Sequence, residues 1–293
     1  MNYLIRFGYI GDVVTAIEAS KLLKANLLVS ESKKSLVFNK TNESYIDTIK
    51  SISRKTSFKI SMCSSKKIKE ILLKDKEARF FMMTQSLSFT DKMYAIFLRF
   101  LTNANIEILY EGTQTFYGSI LRNNEQFLNN LRDIKDKSLN ISIVWDGKED
   151  QKNLDIIQIE RIYNILQNKF DLSSVNIIGK KKSNFDNPNI NNLSGKTSLE
   201  EALEIIDKSD LIISADTGLL HYSVFKRKPV VALVPHRLRL ANWFPSSGPT
   251  ALISRIDSRN KYISIKSTKD CILNQEINDV TVSKNLEDLL EAI

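Results

Sequence analysis

Short, nearly continuous apolar runs, each followed by a polar loop and an amphipathic helix, recur along this chain. Leu211-Ile-Ile-Ser214 and Val230-Val-Ala-Leu-Val234 carry almost no polar face. Strands of that kind are covered on both sides, which is the condition of a parallel sheet flanked by helices. The two halves of the sequence open alike. Tyr3–Arg6 leads through Gly8 and Gly11 into a helix predicted from Asp12 to about Lys24. Ile141–Trp145 leads through Asp146-Gly147-Lys148 into a helix of roughly Ile157–Phe170, where Ile162, Ile165 and Leu166 recur at helical spacing. The alternation continues through Val175–Ile178, Leu199–Lys208, Leu211–Ser214, Leu219–Phe225 and Val230–Val234. Ser198 followed by Glu201 reads as a capping box at one of these helix starts. The pattern predicts an α/β chain of two Rossmann-like domains, 1–137 and 138–293, joined near the charged stretch Leu131–Ser138. Residues 25–75 are lysine-rich and weakly periodic, and predict little.

A length of 293 residues suits two domains, and 42% hydrophobic residues suffice for two ordinary cores. Cys63 and Cys271 have neither metal-type nor redox-type spacing, which fits a reducing, cytoplasmic compartment. Met1 runs directly into a strand pattern, so no secretory leader is expected. Met93–Leu101 is the most apolar stretch, but it is short, carries Arg99 and cannot span a bilayer of about 30 Å. The net charge is +8, with 22 Lys/Arg against 14 Asp/Glu in residues 1–137 and 20 against 20 in the rest. A surplus confined to one half suits an anionic lipid, a phosphorylated substrate or nucleic acid, and equally a solvated lysine-rich face. Nucleic acid is not expected as a partner, because no aromatic–basic motif or known module accompanies the charge.

Three loops carry candidate chemistry. In Arg6-Phe-Gly-Tyr-Ile-Gly-Asp12, two glycines let the backbone turn tightly and approach a ligand. Asp12 then falls at the carboxyl edge of the sheet, where a carboxylate can take a proton from a sugar hydroxyl. A plain helix cap suits the same residue. In Ser214-Ala-Asp216-Thr217-Gly218-Leu-Leu-His221 a strand meets a helix start, and such a start is an anion site. Gly218 offers no side chain to block a phosphate, Thr217 adds a hydroxyl, and His221 lies within the first turns. The second histidine, His236, follows the next strand, and either imidazole could instead be structural. The third loop is basic, with Lys148 and Lys152 able to face a departing diphosphate.

These blocks together resemble the heptosyltransferase family, glycosyltransferase family 9. The resemblance rests on Asn192-Leu-Ser-Gly-Lys-Thr-Ser-Leu-Glu-Glu-Ala-Leu203, on Ser209-Asp-Leu-Ile-Ile-Ser-Ala-Asp-Thr-Gly-Leu-Leu-His221, on Lys228-Pro-Val-Val-Ala-Leu-Val234 and on the opening Ile5–Asp12. It implies a GT-B fold, in which two Rossmann-like domains face each other across a cleft. It also implies Asp12 as general base, with Gly8 and Gly11 in the acceptor-side loop. Lys152, Asp216, Thr217, Gly218 and His221 would bind the donor. The implied reaction is inverting and needs neither cofactor nor metal: heptose passes from ADP-heptose to a hydroxyl of an anionic glycan or glycolipid. The implied location is cytoplasmic, with peripheral contact at the inner face of the cytoplasmic membrane. Three features depart from the family. Pro235-His-Arg-Leu-Arg239 follows Val234 in place of a Gly-Pro-Thr run. Lys152 lacks the Trp-Pro pair that follows it there, and Gly179 precedes Lys180-Lys181-Lys182 where relatives can place a carboxylate near the ribose. A different nucleotide-sugar donor and a catalytically inactive sugar-binding relative are therefore carried as alternatives. A Rossmann dehydrogenase using Glu31 is disfavoured, because Gly8-Tyr-Ile-Gly11 lacks the G-x-G spacing.

Overall fold

A computed structural model of the chain describes residues 1–6, 13, 14, 16, 17, 19, 20, 23–30, 46–49, 57–84, 89–110, 137–147, 153–215, 217–226, 228–235, 250–255, 261–267 and 270–276. The chain divides into two compact units, Met1–Gly112 and Thr113–Ile293. The sequence pattern had suggested a division at 137/138, within the charged stretch.

The first unit holds five parallel strands: β1 (Asn2–Ile5), β2 (Ala25–Ser30), β3 (Ile46–Ile49), β4 (Arg79–Thr84) and β5 (Ile106–Tyr110). Their order is β3-β2-β1-β4-β5. Val13, Val14, Ala16, Ile17 and Ala19, all helical and buried, follow β1 as the sequence predicts. Helices α1 (Ser57–Lys74) and α2 (Phe89–Thr102) flank β4 in the chain. Ile68, Ile71, Ala95 and Leu98 pack from these helices onto Ile5, Leu28, Phe80 and Ile106 of the sheet. The stretch 25–75 thus contains two strands and an 18-residue helix. Its helical periodicity is diluted because Ser65 shares the buried face with Ile68 and Ile71.

Among its described residues the second unit holds eight strands: β6 (Leu139–Val144), β7 (Leu172–Ile178), β8 (Asn191–Asn192), β9 (Leu211–Ala215), β10 (Val230–Pro235), β11 (Thr250–Arg255), β12 (Lys261–Ser267) and β13 (Asp270–Glu276). From one edge they run β8-β7-β6-β9-β10-β11-β12-β13. The first six, numbered by position in the chain, follow the doubly wound order 3-2-1-4-5-6 and are parallel throughout. The sheet is mixed rather than wholly parallel, since β12 runs antiparallel to both of its neighbours, β11 and β13. Every residue of β9 is buried, as a central parallel strand requires.

Among its described residues this unit also holds helices α3 (Ile156–Lys169), α4 (Leu199–Lys208) and α5 (Gly218–Phe225). The capping box predicted at Ser198 is present: Glu201 N–H donates to Ser198 Oγ at 3.2 Å, and Ser198 N–H donates back to the Glu201 carboxylate at 2.7 Å. A second box, unforeseen in the sequence, joins Asp155 and Gln158 at the start of α3. Lys228, just before β10, sends its ammonium to the carbonyls of Asp207 at 2.6 Å and Ser209 at 2.7 Å, closing the end of α4.

Candidate functional site

In an open sheet of order 3-2-1-4-5-6, ligands bind outside the carboxyl ends of the strands where the order reverses. That point lies between β6 and β9, whose registers place Val144 beside both Ser214 and Ile178. The segments leaving these strands therefore emerge at one edge: Trp145–Gly147 after β6, Gly179–Lys182 after β7, and Thr217–His221 after β9.

Thr217 caps α5. Its hydroxyl oxygen accepts the amides of Leu219 at 3.1 Å and Leu220 at 3.3 Å, two of the donors a helix start leaves over. The hydroxyl keeps its own hydrogen and can still donate to a ligand. Gly218 is the first residue of the helix, so the backbone can approach a phosphate without a Cβ between them. His221 lies partly exposed, about one turn further in. The structure brings these three predicted residues together beside the switch point. Gly8, Gly11, Asp12, Lys148, Lys152, Asp216 and His236 lie outside the described residues. The residues after Lys152 are nonetheless fixed at this edge. Asn153 Oδ1 accepts the Gly147 amide at 2.8 Å, and the Leu154 amide donates to the Trp145 carbonyl at 2.8 Å.

The sequence did not single out Asp146 as a site residue, yet it organises the edge. It is buried, and its two carboxylate oxygens accept the backbone amides of Lys180 at 2.7 Å and Lys181 at 2.8 Å. Trp145 Nε1 donates to the buried Ser194 hydroxyl at 2.9 Å. A Cβ at Gly179 would overlap the Trp145 indole nitrogen and the Asp146 carboxylate, so the β7 loop approaches the β6 loop as only glycine permits. Burial raises the Asp146 carboxyl above its ordinary value of 3.8, against the pull of the Lys181 and Lys180 amides. In the first unit Arg6, the residue after β1 and two positions before Gly8, is buried. Among the described residues no group of three or more His, Cys, Asp or Glu could hold a metal ion. No helix among them is long and apolar enough to cross a membrane.

The raised Asp146 carboxyl sets a pH dependence. A folded pKa above the unfolded one means the folded chain binds more protons, so the linked stability is full below 3.8 and is lost as pH rises through the folded value. An asparagine side chain at this position does not titrate. The stability advantage of wild type over Asp146→Asn, from urea midpoints across pH, is therefore expected to shrink over that window and stay flat above it. At neutral pH wild type keeps an advantage of about 1–2 kcal/mol, because each carboxylate oxygen accepts one amide and the asparagine NH2 would face one of these N–H donors. An advantage that grows through the window would contradict this account.

A doubly wound sheet with a capped, glycine-started helix at its switch point defines an α/β protein of the class that takes its ligands at this edge. Within that class, residues 165–236 match the family model of glycosyltransferase family 9 (heptosyltransferase). This span includes the blocks quoted above from Asn192 to Val234, and the resemblance read from the sequence holds. Lipooligosaccharide heptosyltransferase 2 of Haemophilus influenzae is 28% identical over 102 residues, which are 35% of this chain and 29% of that protein. The match thus spans less than a third of the relative's length. Among solved structures, a glycosyl transferase family 9 protein from Veillonella parvula aligns with a TM-score of 0.65 at 11% identity, over 100% of this chain and 97% of that one. The E. coli ADP-heptose lps heptosyltransferase II aligns with a TM-score of 0.62 at 14% identity, over 100% and 99%. These likenesses establish the fold, which is the GT-B glycosyltransferase fold.

Proposed function

We propose that this chain is an inverting glycosyltransferase that moves heptose from ADP-heptose to a hydroxyl of an anionic glycan or glycolipid, of the lipopolysaccharide-core kind. The observation that carries this reading is the capped, glycine-started helix at the switch point, inside the segment that matches family 9. The names of the two heptosyltransferase relatives support the donor and the class of acceptor.

In this mechanism the donor diphosphate meets the Thr217 hydroxyl hydrogen, the Gly218 amide and the positive end of the α5 dipole. Asp216 adjoins Thr217 in the chain and joins it in binding the donor. His221 donates to a phosphate oxygen, and Lys152 adds positive charge. The acceptor oxygen attacks the anomeric carbon while the bond from that carbon to the phosphate oxygen breaks. ADP leaves with the electron pair, and Asp12 takes the acceptor proton, with Gly8 and Gly11 shaping its loop. One displacement inverts the anomeric configuration. The lysine, the imidazole and the helix dipole balance the charge that builds on ADP, so no metal is required. The enzyme would work in the cytoplasm, at the inner face of the membrane that holds a lipid-linked acceptor.

The test is to incubate the protein with ADP-heptose and an inner-core acceptor, with EDTA present, and to follow release of ADP. Acceptor-dependent ADP release is expected, and its absence with active acceptor would defeat the reading. One observation favours a second donor. The end of β7 is where this sheet order places the ribose-binding carboxylate, and here the positions hold Lys180-Lys181-Lys182. The buried carboxylate next to them, Asp146, is already engaged by their amides. Thermal stabilisation by ADP, UDP and GDP in parallel separates the two donors. ADP is expected to give the largest shift, and a larger one from UDP or GDP would transfer the reading to that nucleotide.

A further inference from the structure

Among its described side chains helix α2 carries apolar residues on both its inner and its outer face, beside the exposed Arg99. Ala95 and Leu98 point inward and are buried in the core of the first unit. Met93, Ile96 and Phe100, spaced three and four residues apart on the outer face, are 46%, 51% and 80% exposed. A helix that faces water on its outer side normally carries polar residues there. Scattered exposed apolar residues are ordinary, but an aligned stripe of three marks an interaction surface. At 14 residues the helix is about 21 Å long, too short to cross a bilayer, and its inner face is committed to the sheet.

The neighbouring helix extends the surface. α1 and α2 pack against each other. The connections from β3 to β4 and from β4 to β5 progress in the same direction along the sheet, so right-handed crossovers put both helices on one face and run them side by side. Both helices end at the same edge of the sheet, which brings Phe100 of α2 and the 84%-exposed Leu73 of α1 to the same end. The exposed polar residues of α1 and its following turn are mostly cationic, with Lys66, Lys69, Lys74 and Lys76 against Glu70 and Glu77. The whole surplus of +8 lies in residues 1–137.

We propose that the α1–α2 face of the first unit is a docking surface for an anionic lipid bilayer. Ile96, Phe100, Met93 and Leu73 enter the interfacial layer while the lysines of α1 meet the headgroups. Apolar side chains combined with flanking lysines form the pattern of a helix lying in the membrane plane. A second copy of the chain fits less well. A two-fold contact on this face would oppose the same lysines to one another, with Glu70 and Glu77 the exposed glutamates among the described residues of α1 and its following turn. The proposal is independent of the transfer reaction, because binding to vesicles is read without donor or acceptor.

The experiment is co-sedimentation of the full chain with vesicles of phosphatidylcholine alone and of phosphatidylcholine with phosphatidylglycerol. Wild type is expected to partition onto the anionic vesicles at least about tenfold more strongly than onto the neutral ones. The double variant Ile96→Ser, Phe100→Ser is expected to lose about tenfold or more of that binding, with an unchanged melting temperature because both positions face outward. Lys66→Glu with Lys69→Glu should weaken the anionic preference alone. Should the serine variant fold poorly, Phe100→Trp with bromine-labelled lipid reports the same contact as quenched tryptophan emission. Failure of wild type to bind either vesicle, undiminished binding by the folded serine variant, or absence of quenching would overturn the proposal. So would a wild-type dimer in solution that the serine substitutions dissolve.

Discussion

Alanine at position 179 is expected to lower the melting temperature of the chain by about 10 °C and to weaken nucleotide binding at least about tenfold. The added methyl would meet the Trp145 ring and the Asp146 carboxylate, with the indole Cδ1 only 2.8 Å away. Neither group can retreat cheaply. The indole is held by Ser194, and the carboxylate by two backbone amides. The two loops must therefore part, which costs about 3 kcal/mol once overpacking and the broken bonds are counted. Ser194→Ala removes only the acceptor of the indole N–H and should cost about 1 kcal/mol, so it measures one bond apart from the overlap. Thermal melts and ADP titrations of both variants decide the matter. If Gly179→Ala melts like wild type, the close approach of the two loops is wrong.

The second large effect concerns Asp12. Asp12→Asn is expected to reduce transfer by about 10²–10⁴-fold while ADP binding stays within about twofold. The two readouts part because an amide keeps the shape of the carboxylate but has no basicity at neutral pH. The acceptor hydroxyl then attacks without losing its proton in the transition state. In the proposed mechanism the diphosphate is held by Thr217, Gly218 and His221 of the other unit, which the substitution does not alter. Turnover retained in Asp12→Asn would remove the general-base role, and lost ADP binding would reassign the residue to donor recognition. A simple helix cap predicts neither result and little change in stability, because asparagine caps a helix about as well as aspartate.

Much of the second unit was legible because its strands are buried on both faces and so announce themselves as apolar runs. β9 and β10 were read almost to the residue, and the Ser198 capping box needed only its two side chains three positions apart. The antiparallel end of the sheet was not read. Its strands follow a stretch with no apolar run comparable to Val230–Val234. Asp146 was missed for a different reason. Its role depends on the pairing of β6 with β7, which brings residues 34 and 35 positions further along to its carboxylate. A lone aspartate after a strand gives no hint of that. Thr217 shows the intermediate case. The sequence marked it as a donor, whereas the structure also uses its oxygen as the cap that starts the helix.

The clasp between Asp146 and the β7 loop has a consequence on the timescale of hours. Backbone protons in surface loops ordinarily exchange with deuterated solvent almost as fast as in free peptides. Those of Lys180 and Lys181 point at a buried carboxylate, so they can be lost only when two turns separate together. These two loop positions should keep their protons as long as the strands beneath them.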